Sequence, residues 1–440
     1  MFENLPGFRE YYPDRCALRN YIFEVWRNAA TCFGFEEYDA PILEPLELFK
    51  EKSGEEIVGQ LFSFLDRGGR EVALRPEMTP SLGRLVGARQ QSLKKPVKWF
   101  NIGEHFRYEK PQKGRTRAFF QFNADILGEE GVAADAELIA LGVESLIGFG
   151  LRETDFVIRL SDRELWMAFL SAFDLEGDQA SGVLSLIDKI ERQDRATLVK
   201  QLDPYLGSRK QAFLTQVEEL VNCDTVRKIR EFFHQQVSSS EVLSRIERRL
   251  GEWEELLELL RAMGLIAFLK LDLGIVRGLA YYTGFVYEAF EKQGESRSLF
   301  AGGRYDGLLA KLGYTDMPAS GFAIGDVVLA NLLEERKLGV NSKNAPEIFM
   351  VFGGENERKV VLADAAKLRR LNFRVEYTFR KQGFGKQFGL AVEKRAKIAL
   401  IYGSEELKEG TIKLRNLKTR EEAIVLRDAL VDELKRILGS

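Results

Sequence analysis

The stretch Phe106 to Gly128, FRYEKPQKGRTRAFFQFNADILG, constrains this chain more than any other. Pro111 and Gly114 interrupt two runs rich in aromatic and apolar residues, which predicts antiparallel strands over 97–109 and 117–128 joined by a short basic turn. Alternation sorts the second strand into two faces. Phe120, Phe122, Ala124 and Ile126 make one face, which reads as core. Phe119, Gln121, Asn123 and Asp125 make the other, which reads as a pocket wall. Arg107, Lys110, Lys113, Arg115 and Arg117 surround the turn with only Glu109 opposing them, and Arg107 and Glu109 fall on one strand face. Arginine's planar fork suits phosphate. A solvated hairpin tip is the plainer account of the same charges.

Upstream, Leu18, Ile22, Phe23, Val25 and Trp26 predict an amphipathic helix that Gly34 ends. Pro41 before Ile42 and Leu43 predicts an edge or interface strand. Leu61–Leu65 and Glu71–Leu74 predict a hairpin, and Leu74-Arg-Pro-Glu-Met-Thr-Pro80 leads into a helix with Thr79 as its cap. Capping alone explains Glu77 and Thr79 as well as a ligand does. From 172 to 262 the pattern is helical (Ala180–Ile190, Phe213–Leu220, Val226–Phe233, Val242–Met263), an insertion between two parts of a sheet domain. Strand character returns at Phe268–Leu273. Arg277 then stands among apolar neighbours before Gly278, Tyr281 and Tyr282. A buried arginine needs an ion pair or an anionic ligand. Gly302-Gly303 and Gly321-Phe-Ala-Ile-Gly325 permit close backbone approach, to a ligand or only between strands and helices. The turn-rich Lys337–Pro346 reads as a linker, and alternating strands and helices follow it to the end. The domains expected are therefore 1–171 and 263–336 for the two parts of the core, 172–262 for the insertion, 337–346 for the linker and 347–440 for an α/β module.

Charge and cysteines narrow the function. The net charge of −3 argues against a generally basic nucleic-acid binder. Residues 346–440 nevertheless hold 20 Lys and Arg against 14 Asp and Glu, a net of +6 that leaves −9 on the rest. That asymmetry fits selective contact with nucleic acid, and also an ordinary solvated domain. Cys16, Cys32 and Cys223 offer neither a disulfide framework nor a zinc pair. With 2 histidines, a histidine-rich metal site is not expected. The N-terminal MFENLPGFREYYPD lacks the pattern of a secretory signal and no run reaches membrane-span length, so the expected location is the cytoplasm.

These motifs together resemble the histidyl-tRNA synthetases, a class II aminoacyl-tRNA synthetase family. Arg107-Tyr-Glu109 with Lys110-Pro-Gln-Lys-Gly-Arg115 resembles the second class II motif, and Arg75-Pro-Glu-Met-Thr79 the loop that takes the amino acid's ammonium group. Arg277-Gly-Leu-Ala-Tyr-Tyr-Thr283 and Gly302-Gly-Arg-Tyr-Asp-Gly307 resemble the two histidyl-specific stretches. Leu400-Ile-Tyr-Gly403 and the segment from Gly410 to Thr419 resemble the anticodon-binding domain. The resemblance implies an α+β fold: a class II antiparallel-sheet catalytic domain with a helical insertion, then a C-terminal α/β anticodon-binding domain. It implies synthesis of histidyl-adenylate from ATP and histidine, then transfer to tRNA(His). The catalytic residues would be Arg277, Arg107 and Glu109. Phe119 would stack on adenine, Arg107 and Arg277 would hold the α-phosphate, and Arg115 would reach the outer phosphates. Glu77 and Thr79 would take the ammonium group, Gln121 the carboxylate side, and Asp125, Tyr281 and Tyr282 the imidazole end. ATP would act as substrate with Mg2+, without zinc or a tightly bound organic cofactor. The partners would be tRNA(His), L-histidine, ATP and a second copy of the chain, with no membrane. Ala280 replaces the usual aspartate, Asp125 is shorter than the glutamate of many bacterial members, and Val328 stands where the third motif carries an arginine. The other reading is a catalytically inactive relative, the regulatory subunit of ATP phosphoribosyltransferase, which usually lacks the C-terminal module.

Overall fold

The computed structural model describes residues 2–50, 59–188, 190, 193–276, 282–293, 298–339 and 345–439. The chain divides into two compact units, Met1–Gly339 and Val340–Ser440. The strands of the first are β1 (Glu36–Glu37), β2 (Leu43–Pro45), β3 (Ser63–Leu65), β4 (Glu71–Leu74), β5 (Val97–Phe106), β6 (Ala118–Leu127), β7 (Phe156–Asp162), β8 (Leu269–Leu271), β9 (Phe285–Glu291), β10 (Phe300–Arg304) and β11 (Ala319–Gly325). Eight form one sheet in the order β1-β5-β6-β11-β10-β9-β7-β8, and β2-β4-β3 form a second. The six central strands of the large sheet are antiparallel, with parallel pairs only at its edges, β1 on β5 and β8 on β7. The antiparallel class II sheet is there.

Side-chain alternation gives that sheet a buried apolar face. Phe100, Phe122, Ala124, Ile126, Phe322 and Ile324 all point into one core. Helix Pro13–Cys32 covers it with Ile22, Trp26 and Ala30 at four-residue spacing, and Trp26 stacks on Phe122 at 5.7 Å. Phe120 is only half-buried, held between Tyr11 and Phe23. Six helices follow β7: Arg163–Ser171, Gly177–Ile187, Arg195–Leu206, Lys210–Val221, Val226–Gln236 and Ser240–Ala262. Their Phe213, Ile229 and Trp253 join the same core as the sheet's Phe156 and Phe285. Helix Arg195–Leu206 adds to those expected from the sequence; Pro204 sits in its last turn, and Asp194 caps its start by accepting from Thr197 N.

Two local expectations are corrected. β5 stops at Phe106, because Glu109 N donates to Arg107 O at 2.8 Å in a tight turn that takes the chain out of the ladder. Arg107 and Glu109 therefore lie in the 107–117 connection, not on one strand face. Thr79 is the first residue of helix Thr79–Arg89 and does not cap it; Met78 holds the cap position without a side-chain bond. Pro80 suits that first turn, where a missing N–H costs nothing.

The second unit holds β12 (Ile348–Phe352), β13 (Val375–Tyr377), β14 (Ile398–Tyr402), β15 (Thr411–Asn416) and β16 (Glu422–Leu426) in the order β13-β12-β14-β15-β16. The first three are parallel and the last two antiparallel. β12 is buried throughout, as its unbroken Ile-Phe-Met-Val-Phe requires of a central parallel strand. Helices Glu355–Arg370 and Leu430–Leu438 close a core separate from that of the first unit.

Candidate active site

The face of the large sheet turned away from the helical core carries the polar row. Paired strand residues share a face, so the register lines up His105 with Phe119, Gly103 with Gln121 and Gly325, and Asn101 with Asn123 and Ala323. Asp125 lies across from Gly321, and Gly321 from Gly303. The glycines hollow this face. A Cβ on Gly321 would stand 1.9 Å from Asp125 Oδ1, and one on Gly303 would stand 2.9 Å from the Tyr282 ring. Asp125, 4% exposed, accepts from the Tyr305 hydroxyl at 2.5 Å. A buried carboxylate, a tyrosine bonded to it and the buried Tyr282 thus form one end of a trough.

Backbone hydrogen bonds bring the other end together. Phe106 N donates to Arg75 O, and Arg107 Nε donates to Pro76 O at 3.0 Å. These bonds place the Arg75–Thr79 loop beside Arg107, whose guanidinium lies 5.4 Å from the Phe119 ring centre. Arg75 donates through Nε to Glu104 O and through Nη1 to Asp39 and Ala40 O, bonds that tie the loop to the sheet. Glu77 is buried, while Thr79 and Gln121 are half-buried. Glu109 and Arg115 pair with each other at 2.6 Å. Arg117 N donates to Gly7 O, so the N-terminal segment braces the connection. Arg277 and Tyr281 lie outside the described residues. The structure thus groups Arg107 and Phe119 with the loop of Glu77 and Thr79, and Asp125 with Tyr282.

Three residues went unassigned in the sequence. Tyr305 belongs to a quoted motif, but nothing in one strand shows what its hydroxyl reaches. His105 is fully buried against Phe119, ring centres 6.1 Å apart, with Nδ1–H donating to Gly103 O. Burial, then the charges of Arg75 and Arg107, holds it well below the usual histidine range. Asp326 accepts from Phe120 N where β11 has ended, and it pairs with Arg9 at 2.9 Å. Burial raises its carboxyl above the ordinary value despite Arg9. Val328, two residues on, packs half-buried against the apolar core. Among the described residues, no group of three His, Cys, Asp or Glu could hold a metal ion, and no helix is long and apolar enough to cross a membrane.

Comparison with known proteins agrees along the whole chain. A family model described as Histidyl-tRNA synthetase matches residues 7–326, and one described as Anticodon binding domain matches residues 348–437. A Histidine--tRNA ligase of Opitutus terrae is 51% identical over 427 residues, covering 97% of this chain and 96% of that protein. Two solved structures share the fold. The histidyl-tRNA synthetase of Nostoc sp. PCC 7120 aligns with a TM-score of 0.79 and 24% identity over 99% of each chain. An ATP phosphoribosyltransferase regulatory subunit/histidyl-tRNA synthetase from Bacillus halodurans C aligns with a TM-score of 0.74 and 21% identity, over 92% of this chain and 99% of that one.

Proposed function

The chain belongs to the histidyl-tRNA synthetase family, and from that membership we propose how its trough joins L-histidine to tRNA. It is a class II aminoacyl-tRNA synthetase that uses histidine, ATP and tRNA. The observation that carries the site assignment is the buried Asp125–Tyr305 pair on its glycine floor beside Tyr282. Asp125 accepts the imidazole N–H, and Tyr305 and Tyr282 complete the polar surround. A side chain unable to make those bonds would leave buried polar groups unpaired, which supports discrimination of roughly 10⁴-fold without editing.

At the other end, Glu77 and Thr79 take the ammonium group and Gln121 the carboxylate side. Phe119 stacks on adenine, and ATP enters as its magnesium complex. The histidine carboxylate attacks the α-phosphorus; the new P–O bond forms as the bond to the β-phosphate oxygen breaks, releasing pyrophosphate. Arg107 and Arg277 face the charge that builds on the α-phosphate. Arg115 leaves Glu109 for the outer phosphates, and Glu109 is thereby freed to assist. A terminal hydroxyl of the tRNA then attacks the acyl carbon and AMP departs.

In the second unit, Phe379, Arg380 and Lys381 line a depression where β12 and β13 end, suited to a stacked base and its phosphate. We assign the anticodon to it. Exposed Leu43 and Phe64, which share one face of the small sheet, support a homodimer through that face. Three free thiols support a reducing, cytoplasmic setting. The regulatory-subunit reading has less behind it, because that role has no use for an anticodon-binding domain.

Histidine-dependent ATP–pyrophosphate exchange tests the proposal, with Arg277→Ala as control. Wild type should exchange only with histidine, and the variant should lose several powers of ten, about 1.4 kcal/mol for each. Absence of exchange while calorimetry still shows histidine binding would sink the enzyme reading.

A further inference from the structure

β11 ends before it can finish the edge of β6. Its last residue, Gly325, lies across from Gln121, and helix Asp326–Glu335 begins at the next position. On one side β5 still pairs with the segment, His105 with Phe119 and Phe106 with Ala118. On the other side, among the described residues, no strand flanks 117–120. The backbone N–H groups that face that side need acceptors. Two come from outside the sheet. Asp326 Oδ1 accepts from Phe120 N at 2.9 Å. Gly7 O accepts from Arg117 N at 2.8 Å and from Ala118 N at 3.2 Å. Between these bonds stands Phe119, the residue assigned to adenine.

Arg9 joins the two acceptors. Its Nη2 lies 3.0 Å from Asp326 Oδ1 and 2.9 Å from Oδ2. The Asp326 side chain is 3% exposed, and a carboxylate so buried needs a cation to remain charged. Charged, it holds the Phe120 N–H more strongly than a neutral group would. Tyr11 adds to the contact: its hydroxyl lies 3.5 Å from Asp326 Oδ2, and its ring meets that of Phe120 edge-on at 6.0 Å. The Arg19 guanidinium lies over both rings, at 4.9 and 5.5 Å. Gly7 has φ +85°, and a Cβ there would stand 2.8 Å from Arg117 Cγ. The N-terminal segment thus lies directly against the end of the connection.

We propose that Arg9 and Asp326 are positioning residues for ATP: they clasp the N-terminal segment to β6 and so hold Phe119 where it stacks on adenine. Both act through the backbone of 117–120. The proposal rests on the synthetase reading above. The histidine end of the trough does not depend on the clasp, because Asp125 has β11 paired beside it and Tyr305 bonded to it. Loss of the clasp should therefore raise KM for ATP and spare KM for histidine.

The test measures ATP–pyrophosphate exchange in the full chain, with KM for ATP and for histidine, in wild type, Arg9→Met, Arg9→Lys, Asp326→Asn and the Arg9→Met/Asp326→Asn double variant. Arg9→Met should raise KM for ATP about fivefold or more and leave KM for histidine within about twofold. Lysine restores the charge and should recover part of the loss. Asp326→Asn should raise KM for ATP about threefold, and adding Arg9→Met to it should cost little more, since the two residues act as one clasp. An unchanged KM for ATP in Arg9→Met would overturn the proposal. So would a rise in both KM values together, or a fall in kcat alone with a lower melting temperature, since either assigns the pair to the fold at large. Should Arg9→Met not fold, Asp326→Asn decides: a rise confined to KM for ATP supports the clasp, and an unchanged value removes it. Wild type without any exchange would instead overturn the synthetase reading itself.

Discussion

Asp125 and His105 are buried on the same sheet face, one proposed above to recognise the imidazole and the other keeping its charge off. Asp125 was legible because alternation alone put a carboxylate on a wall beside Asn123 and Phe119. His105 was not, because its meaning depends on Arg75 arriving from another loop and on Phe119 from the paired strand. Its pKa in the folded chain lies well below the unfolded 6.5. As pH falls through 6.5 the unfolded chain takes up a proton and the folded chain does not. The stability from a neutral His105 is thus complete above pH 6.5 and drains away below it, by about 1.4 kcal/mol per pH unit. Urea unfolding at pH 7.5 and 5.5 should show a larger loss for wild type than for His105→Phe, by roughly 1.4 kcal/mol. Equal losses would mean that His105 titrates normally.

Glycine means different things on the two faces of neighbouring strands. Gly302 of β10 points to the core, where a Cβ would come within 2.4 Å of Gly321 O and 2.7 Å of the Tyr287 ring. Gly321 of β11 points to the trough, where the nearest atom is Asp125 Oδ1. Gly302→Ala should therefore lower the melting temperature clearly, because backbone must move. Gly321→Ala should push the Asp125 carboxylate aside and raise KM for histidine about tenfold, roughly 1.4 kcal/mol, with KM for ATP little changed. A Gly321→Ala enzyme with normal histidine KM would remove Asp125 from the recognition site. The sequence showed that close approach was permitted here but could not separate a ligand from strand packing, since the choice turns on register. The same limit hid the early end of β5, set by one turn at Arg107–Glu109, and the misplaced cap at Thr79, set by where helix Thr79–Arg89 begins.

At the scale of the molecule, class and order of elements were readable because period-two and helical patterns are local, whereas the polar contacts that complete the site join distant segments. Asp326 to Arg9 and Tyr305 to Asp125 each connect stretches remote in sequence, and no pattern announces such pairs. The two units have no core residue in common: one apolar cluster runs from Ile22 to Leu333 and another from Ile348 to Leu434. Each therefore has its own source of stability. The trough and Arg107 both belong to the first unit, and the basic module matched as anticodon-binding to the second. A chain ending at Gly339 should consequently fold and keep histidine-dependent pyrophosphate exchange within about threefold of the full protein. Its kcat/KM for tRNA should fall at least tenfold, since a recognised part of the tRNA loses its contacts, with each tenfold worth about 1.4 kcal/mol. Exchange and charging measured on one preparation separate the outcomes. Loss of both would mean that the second unit supports the catalytic fold, and full retention of charging would show that the anticodon contributes nothing to tRNA selection.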